Sequence, residues 1–153
     1  MKNPWLDIPL ADYEGHMALP NVGQAQLLSD VFAGALDKYA PRSVAILGCA
    51  GGNGLDRVSS KVTERVVGVD LNPNYVQQVR TRFDHQISLL ELFVGDIQTE
   101  EFAFAPVELV FAGLLFEYVD TEAVLAKIRA MLWPGGTLLT VVQLPSTAIP
   151  EIT

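Results

Sequence analysis

Three segments of the sequence combine residue types that can hold an adenine nucleoside. The first is a glycine-rich run from Gly48 to Gly54, which follows a short apolar stretch. Glycines let the backbone turn sharply and let a ligand approach without meeting a Cβ atom. Free amides at such a turn face an anionic group, which we expect here to be a carboxylate rather than a phosphate. A turn shaped only by tight packing is the alternative.

The other two segments each place an aspartate at the end of an apolar run. Asp70 could accept hydrogen bonds from two ribose hydroxyls. Capping of the next helix is the alternative role, but Asn72 and Pro73 already supply a helix start. Asp96 could take the exocyclic amino group of adenine, with Ile97 beside the ring. Taken alone, Asp96 is better explained as a loop aspartate that bonds its own backbone.

The elements that position these residues alternate between apolar strands and amphipathic helices. Strands are predicted at 44–47, 66–70, 89–94, 109–112 and 137–142. Helices are predicted from the cap Asn21 to Pro41, at 55–62, at 73–83 and at 123–132. Strands that are apolar on both faces indicate a parallel sheet between two helix layers, an α/β fold. The loops after the strands then meet along one edge, where ligands bind.

Composition limits the classes of function. The chain has 153 residues, half of them hydrophobic, enough for one packed domain. No apolar run approaches the ~20 residues that span a bilayer, and no signal peptide opens the sequence, so we expect a cytoplasmic protein without a membrane partner. A net charge of −8 argues against nucleic acid as a partner. One cysteine and two distant histidines argue against an internal disulfide and a metal site.

Five motifs, in order along the chain, resemble those of the class I S-adenosylmethionine-dependent methyltransferases. They are VAILGCAGGNG, the ribose motif VVGVDLNP, the adenine motif GDI, the fourth-strand segment ELVFAGLLFEYVD and the turn LWPGGTL. The resemblance runs from Ser43 to Val142. It implies a three-layer Rossmann-like sheet of about five strands flanked by helices, with S-adenosylmethionine as the cofactor. The implied cofactor contacts are Gly48, Cys49, Ala50, Gly52, Asn53, Asp70, Leu71, Asp96, Ile97 and Ala112. The Cys49 thiol is expected to pack beneath the loop rather than react.

The chain departs from the family pattern in three ways. Ile46 stands where the family usually carries an acidic residue that helps to bind the donor's ammonium group, and Ala50 replaces the usual second glycine. The terminal antiparallel hairpin of the family sheet has no counterpart after Val142. A truncated chain, a missing mobile tail and a protein that dispenses with the hairpin all remain open. The strand at 137–142 would then be an exposed edge, so we expect a homodimer or strand exchange through it.

Residues 1–20 are predicted to form an irregular leader, or lid, over a core domain of residues 21–153. Its three prolines argue against regular structure. Tyr13 could face the sulfonium, and His16 could take a proton from a nucleophile. The alternative is that the leader only covers the core and that His16 is solvated. Glu117, after the fourth strand, could orient a substrate amine or act as a base, the alternative being a surface carboxylate at a helix entry.

The resemblance implies methyl transfer to a small-molecule acceptor at nitrogen, oxygen or carbon. Such transfer needs mainly in-line placement and exclusion of water, so neither a triad nor a metal is required. The alternative is a non-catalytic S-adenosylmethionine-binding domain, a sensor or an inactive partner subunit, which Ile46 and the missing hairpin favour. A nicotinamide-dependent oxidoreductase is disfavoured because the loop does not follow the G-x-G-x-x-G spacing.

Overall fold

The computed structural model describes residues 3–20 and 22–143. The strands are β1 (Ser43–Leu47), β2 (Arg65–Asp70), β3 (Leu89–Val94), β4 (Val107–Gly113) and β5 (Leu132–Val141). The α-helices are α1 (Leu10–Met17), α2 (Gln24–Tyr39), α3 (Pro73–Phe83) and α4 (Thr121–Met131). Short 3₁₀ turns lie at Pro4–Leu6, Leu55–Arg57 and Leu115–Glu117.

The strands form one sheet in the order β3-β2-β1-β4-β5, and every neighbouring pair is parallel. The predicted α/β class and parallel sheet are therefore confirmed. From β1 the chain builds outward to β2 and β3, and then crosses back to place β4 on the other side of β1. The loops after β1 and β4 diverge at this reversal, which opens a crevice at the carboxyl ends of the strands.

Each face of the sheet packs beneath its own helix layer. On one face, Phe32 of α2 and Val79 of α3 are fully buried, and the Phe32 ring lies 5.1 Å from that of Phe111 in β4. On the other face, Val124 and Ile128 of α4 pack into a second cluster. Strands covered on both sides must be apolar throughout, which explains why their sequences are nearly continuous hydrophobic runs.

The predicted irregular leader is wrong, because residues 10–17 form helix α1. Pro9 lies at the N-cap of α1, and Pro4 and Pro20 also lie outside the helix. At such positions the missing N–H group removes no helical hydrogen bond, so the prolines bound the helix rather than prevent it. The predicted cap of α2, Asn21, lies outside the described residues. Helix α2 begins after Gly23, which adopts the left-handed conformation (φ 60°).

The predicted helix at 55–62 is also wrong. Only the 3₁₀ turn Leu55–Arg57 forms, and Val58 leaves the helical region with φ −74° and ψ 128°. The segment that follows carries valine, serine and threonine, which lose side-chain freedom in a helix or favour bonds to the nearby backbone. Residues 58–64 instead form a loop that leads into β2.

Strand β5 starts earlier than predicted and lies at the edge of the sheet. It follows α4 directly at Leu132, and its register against β4 shifts between the pairs Val107–Leu132 and Leu109–Thr137. The expected edge position of 137–142 is confirmed by the strand order, with β5 paired on one side only among the described residues. Across 3–20 and 22–143, none of the helices combines the length and apolar character that crossing a bilayer requires.

Candidate functional site

A cavity of about 390 Å³ lies at the carboxyl edge of the sheet. Small-molecule sites commonly have volumes of this order. Gly48 follows β1, Asp70 ends β2, Asp96 follows β3 and Leu114 follows β4, and all four line the cavity. Helix α1 contributes Tyr13. Four strand ends and the leader thus converge on one space, as the predicted parallel sheet requires.

The glycine loop is folded back against the end of β2. The amides of Gly48 and Cys49 donate to the Val69 carbonyl oxygen at 2.8 and 3.1 Å. Gly48 has φ 72°, and Ala50 has φ 46° although it carries a Cβ atom. A left-handed alanine costs about 1–2 kcal/mol. The Ala50 amide, however, donates to Asp70 Oδ2 at 2.8 Å, which holds the strained residue in place.

Asp70 joins the glycine loop to the start of α3. Its Oδ2 accepts the Ala50 amide, and its Oδ1 accepts the Asn72 amide at 2.9 Å. The Leu71 amide also acts on this carboxylate. Because a carboxylate has about four acceptor sites, Asp70 keeps some capacity for a ligand in the cavity. The helix cap is Asn72, whose side chain accepts the Asn74 amide at 2.9 Å. Burial raises the pKa of Asp70, while its backbone hydrogen bonds oppose that shift.

Asp96 and two apolar side chains line the neighbouring part of the cavity. Asp96 Oδ1 accepts the Gln98 amide at 2.9 Å, so this aspartate does shape its own turn. It nevertheless lines the cavity beside Ile97, and Leu71 lines it from the end of β2. The local turn and a ligand contact are compatible, because a carboxylate with one amide partner keeps further acceptor capacity.

Four of the sequence-predicted cofactor contacts do not line the cavity. The Cys49 thiol packs in the core, and burial raises its pKa strongly, as expected for a thiol beneath the loop. The Asn53 side chain donates to the Ala25 carbonyl oxygen at 2.8 Å. A Cβ atom on Gly52 would lie 2.6 Å from the Phe83 ring, so this glycine permits packing against α3. The four residues are Cys49, Gly52, Asn53 and Ala112.

Aromatic rings line the side of the cavity that the leader covers. Trp5 lies edge-on to Tyr13 and to Tyr118, with ring centroids 5.9 and 5.2 Å apart. Tyr13 lies 6.0 Å from Tyr75 of α3. All four rings line the cavity. That these rings form one group was not predictable from the sequence, because rings from three separate parts of the chain meet only when it is folded.

The leader is fastened over the cavity by polar contacts with the core. Arg82 of α3 holds both carboxylate oxygens of Glu14 at 2.7 and 2.9 Å and also donates to the Gly51 carbonyl oxygen at 3.0 Å. The Tyr75 hydroxyl and the Asn72 side-chain amide donate to leader carbonyl oxygens at 2.7 and 3.0 Å. These contacts place the leader as a cover on the glycine loop.

The three predicted catalytic candidates all line the cavity. Tyr13 is half-buried, whereas His16 and Glu117 are exposed at the rim. Glu117 accepts the Gln143 amide at 2.9 Å. Asp120, not Glu117, caps α4 by accepting the Ala123 amide. Glu117 is nevertheless an exposed carboxylate shortly before that helix, so its alternative role as a surface residue stays open.

Ile46 is a core residue, with 4% of its surface exposed. It belongs to the hydrophobic cluster that contains Phe32 and Phe111. Among the described residues that line the cavity, the carboxylates other than Asp70 and Asp96 are Asp12 and Glu117. Among the described residues, the carboxylates other than those at the strand ends of β2 and β3 that could contact a ligand's ammonium group therefore come from the leader and from the loop after β4.

Comparison with known proteins identifies the family. A model of the methyltransferase domain matches residues 44–136, more than half of the chain. The chain belongs to the class I S-adenosylmethionine-dependent methyltransferases. The match runs from β1 into the turn within β5, so it includes the strand ends that form the cavity.

Individual relatives support the same family and fold. The malonyl-[acyl-carrier protein] O-methyltransferase of Xylella fastidiosa is 33% identical over 104 residues, which cover 64% of this chain and 35% of that protein. This methyltransferase chain thus spans about a third of that relative's length. DesVI of Streptomyces venezuelae has a TM-score of 0.68 at 17% identity, covering 94% of this chain and 61% of that one. The N-methyltransferase NodS of Bradyrhizobium japonicum, in complex with S-adenosyl-L-homocysteine, has a TM-score of 0.65 at 19% identity, covering 76% and 60%.

The cavity of this chain fits the family's cofactor, S-adenosylmethionine. Asp70 offers carboxylate oxygens at the cavity wall, and the backbone at Gly48 and Ala50 lines the cavity with no long side chain in the way. Leu71 and Ile97 supply apolar surface for a planar ring. The described residues thus supply the hydrogen-bond acceptor and the apolar surface that the ribose and the adenine of a nucleoside require.

Because of Tyr13, we expect the free energy of unfolding of this chain to change with pH in the alkaline range. Burial, with the charge of Asp70 as the second cause, raises the pKa of Tyr13 to about 12. An unfolded tyrosine has a pKa of about 10. Because the unfolded chain loses this proton first, the free energy of unfolding falls as pH rises between these two values. We expect Tyr13→Phe to flatten that fall when urea unfolding is measured from about pH 9 to about pH 11. An identical pH dependence in the variant would show that Tyr13 is not buried as described.

Proposed function

We propose that this chain transfers the methyl group of S-adenosylmethionine to a small-molecule acceptor inside the cavity. The observation that carries the proposal is the meeting of Gly48, Asp70 and Asp96 on one space at the reversal of strand order. Parallel sheets bind nucleotides at this place because the loops on either side of the reversal diverge and open a crevice. The leader closes the opposite side of the same space.

In the proposed complex, each strand end holds one part of the cofactor. The Asp70 carboxylate accepts the two ribose hydroxyls, and Asp96 accepts the exocyclic amino group of adenine. Leu71 and Ile97 flank the ring. The backbone of the glycine loop faces the methionine end, because its cavity-lining residues Gly48 and Ala50 present main chain rather than long side chains.

The bound cofactor supplies an electrophilic methyl group on a positively charged sulfur. The residues of the chain then place the acceptor in line and keep water away. Tyr13 offers an aromatic ring beside the positive charge. Its raised pKa keeps the phenol neutral at physiological pH, so it does not act as the base. His16 at the rim is the proposed proton acceptor, and Glu117 orients the acceptor molecule.

A labelled-methyl assay separates an enzyme from a non-catalytic binding domain. The chain is incubated with methyl-labelled S-adenosylmethionine and a pool of small metabolites, and label in the small-molecule fraction is measured. Asp70→Asn, which keeps the shape of the side chain but not its charge, is the matched control and should transfer much less label. If the chain binds S-adenosylhomocysteine by calorimetry yet transfers no label to any pool, the binding-domain alternative replaces the enzyme.

We propose in addition that the protein works in the cytoplasm without nucleic acid or membrane partners. We also propose that two copies pair through β5. The dimer rests on the position of β5 at the edge of the sheet, where unpaired backbone groups favour another strand. Sedimentation equilibrium should give the mass of a dimer. A monomer across the accessible concentration range would refute this pairing.

A further inference from the structure

Among the described residues, the cavity wall carries negative charge that no lysine or arginine balances. Among the described residues that line the cavity there are four carboxylates and neither lysine nor arginine. The carboxylates are Asp12, Asp70, Asp96 and Glu117. An anion placed in this space would lose hydration and gain no cationic partner, which costs free energy. A cation would be stabilised by the same groups.

Two of the carboxylates lie outside the strand ends assigned to the nucleoside, and one of them, Glu117, is the residue proposed to orient the acceptor. Asp12 belongs to α1, and Glu117 belongs to the turn after β4. Glu117 is next to Tyr118, and its charge is a secondary cause, after burial, of the raised pKa of Tyr118. The negative charge therefore acts on the aromatic side of the cavity, and not only on the side assigned to adenosine.

The aromatic rings add to this preference. Trp5 contacts both Tyr13 and Tyr118 edge to face, so two rings of the leader and one from the loop after β4 form a group. The face of an aromatic ring attracts a positively charged nitrogen within ~6 Å of its centroid. Rings combined with carboxylates, in a wall without lysine or arginine among the described residues, are the chemistry that recognises an ammonium group.

We infer that the methyl acceptor is an amine, bound as a cation beside Trp5, Tyr118 and Glu117, and that carboxylate acceptors are rejected. This inference rests on the proposed function. The amine loses a proton to water or to His16, and its nitrogen lone pair forms the new N–C bond. The C–S bond breaks with its electron pair remaining on sulfur, which becomes neutral. The Xylella relative is named for a malonyl acceptor, which carries a carboxylate, so the two proteins would differ in acceptor class.

Three probes of matched shape test the inference on the full chain saturated with S-adenosylhomocysteine. Choline carries a quaternary ammonium that cannot be methylated, 3,3-dimethylbutan-1-ol replaces its nitrogen by carbon, and 3,3-dimethylbutyrate carries a carboxylate. By calorimetry we expect choline to bind about ten-fold more tightly than the alcohol, and the carboxylate to bind most weakly. Equal affinities for choline and the alcohol, or a preference for the carboxylate, would overturn the inference.

The fluorescence of Trp5 reports whether the probe binds close to this residue. The chain has two tryptophans, and Trp133 is exposed and outside the cavity, so Trp133→Phe leaves Trp5 as the single reporter. Choline should change its fluorescence with the affinity that calorimetry gives. In this background Glu117→Gln keeps an oxygen for the Gln143 amide and should weaken choline binding by about three- to ten-fold without affecting the alcohol. Unchanged choline affinity would remove Glu117 from the site.

Glu101→Gln is the matched control for charge, because Glu101 is 93% exposed and does not line the cavity. It should leave the affinities for all three probes unchanged, and an equal loss of choline affinity would show a general charge effect instead of a site. Binding of S-adenosylhomocysteine is measured first. If it fails, the proposed function fails; if it succeeds and choline is not preferred, only the acceptor class is wrong.

Discussion

Asp70→Ala is expected to weaken the binding of S-adenosylhomocysteine by roughly 1–3 kcal/mol, the cost of removing one partner from a half-buried polar contact. The same variant leaves the Ala50 and Asn72 amides without their carboxylate partner. We therefore expect a lower free energy of unfolding as well, by about 1–2 kcal/mol. Calorimetry well below the melting temperature gives the first effect, and urea unfolding followed by circular dichroism gives the second.

Asp56→Ala is the control for Asp70→Ala. Asp56 is exposed in the turn after the glycine loop and does not line the cavity, so both quantities should change by less than about 0.5 kcal/mol. A folded Asp70→Ala variant with unchanged affinity for S-adenosylhomocysteine would contradict the ribose assignment. A loss of stability without a loss of affinity would reduce Asp70 to a structural residue of the loop.

Phe32→Ala should destabilise the fold by about 3–5 kcal/mol, as is typical when a large buried ring is removed from a well-packed core. Phe32 has no exposed surface and packs against Phe111. A Cβ atom on Gly54 would lie 3.1 Å from the Phe32 ring, so the ring also supports the end of the glycine loop. A domain with total stability of about 5–15 kcal/mol would lose a large part of it.

The control for Phe32→Ala lies on the same helix. Leu27 is 53% exposed, and Leu27→Ala should cost less than about 1 kcal/mol, since it removes little buried apolar area. Urea unfolding of both variants gives the two changes in the free energy of unfolding, and these are compared when the m-values of the variants agree. Similar losses for Leu27→Ala and Phe32→Ala would mean that α2 does not pack on the sheet as described.

The strands were predictable from the sequence because they are largely apolar, and the central strands β1, β2 and β4 are buried along most of their length. Strand β3 occupies the predicted residues 89–94, and β1 and β2 differ from prediction by one residue at their first ends. Helix α3 was equally clear, since Asn72 and Pro73 mark its start and both act there as expected. Such signals are local, and in this chain they agree with the tertiary structure.

The structure of the leader and the hydrogen bonds and ion pairs around the site were not predictable in the same way. Helix α1 lies between prolines, and its position depends on contacts such as that between Glu14 and Arg82, which are far apart in the sequence. The hydrogen bond from the Ala50 amide to the Asp70 carboxylate likewise joins residues that are 20 positions apart in the sequence. The aromatic group around Trp5 likewise forms only when the leader, the loop after β4 and α3 meet.

The most direct measurement is a crystal structure of the chain grown with S-adenosylhomocysteine. We expect the ribose hydroxyls within hydrogen-bond distance of the Asp70 carboxylate, the adenine amino group at Asp96, and the sulfur beside the Tyr13 ring. A ligand bound elsewhere on the protein, or a cavity that stays closed by its own side chains at saturating ligand, would contradict it.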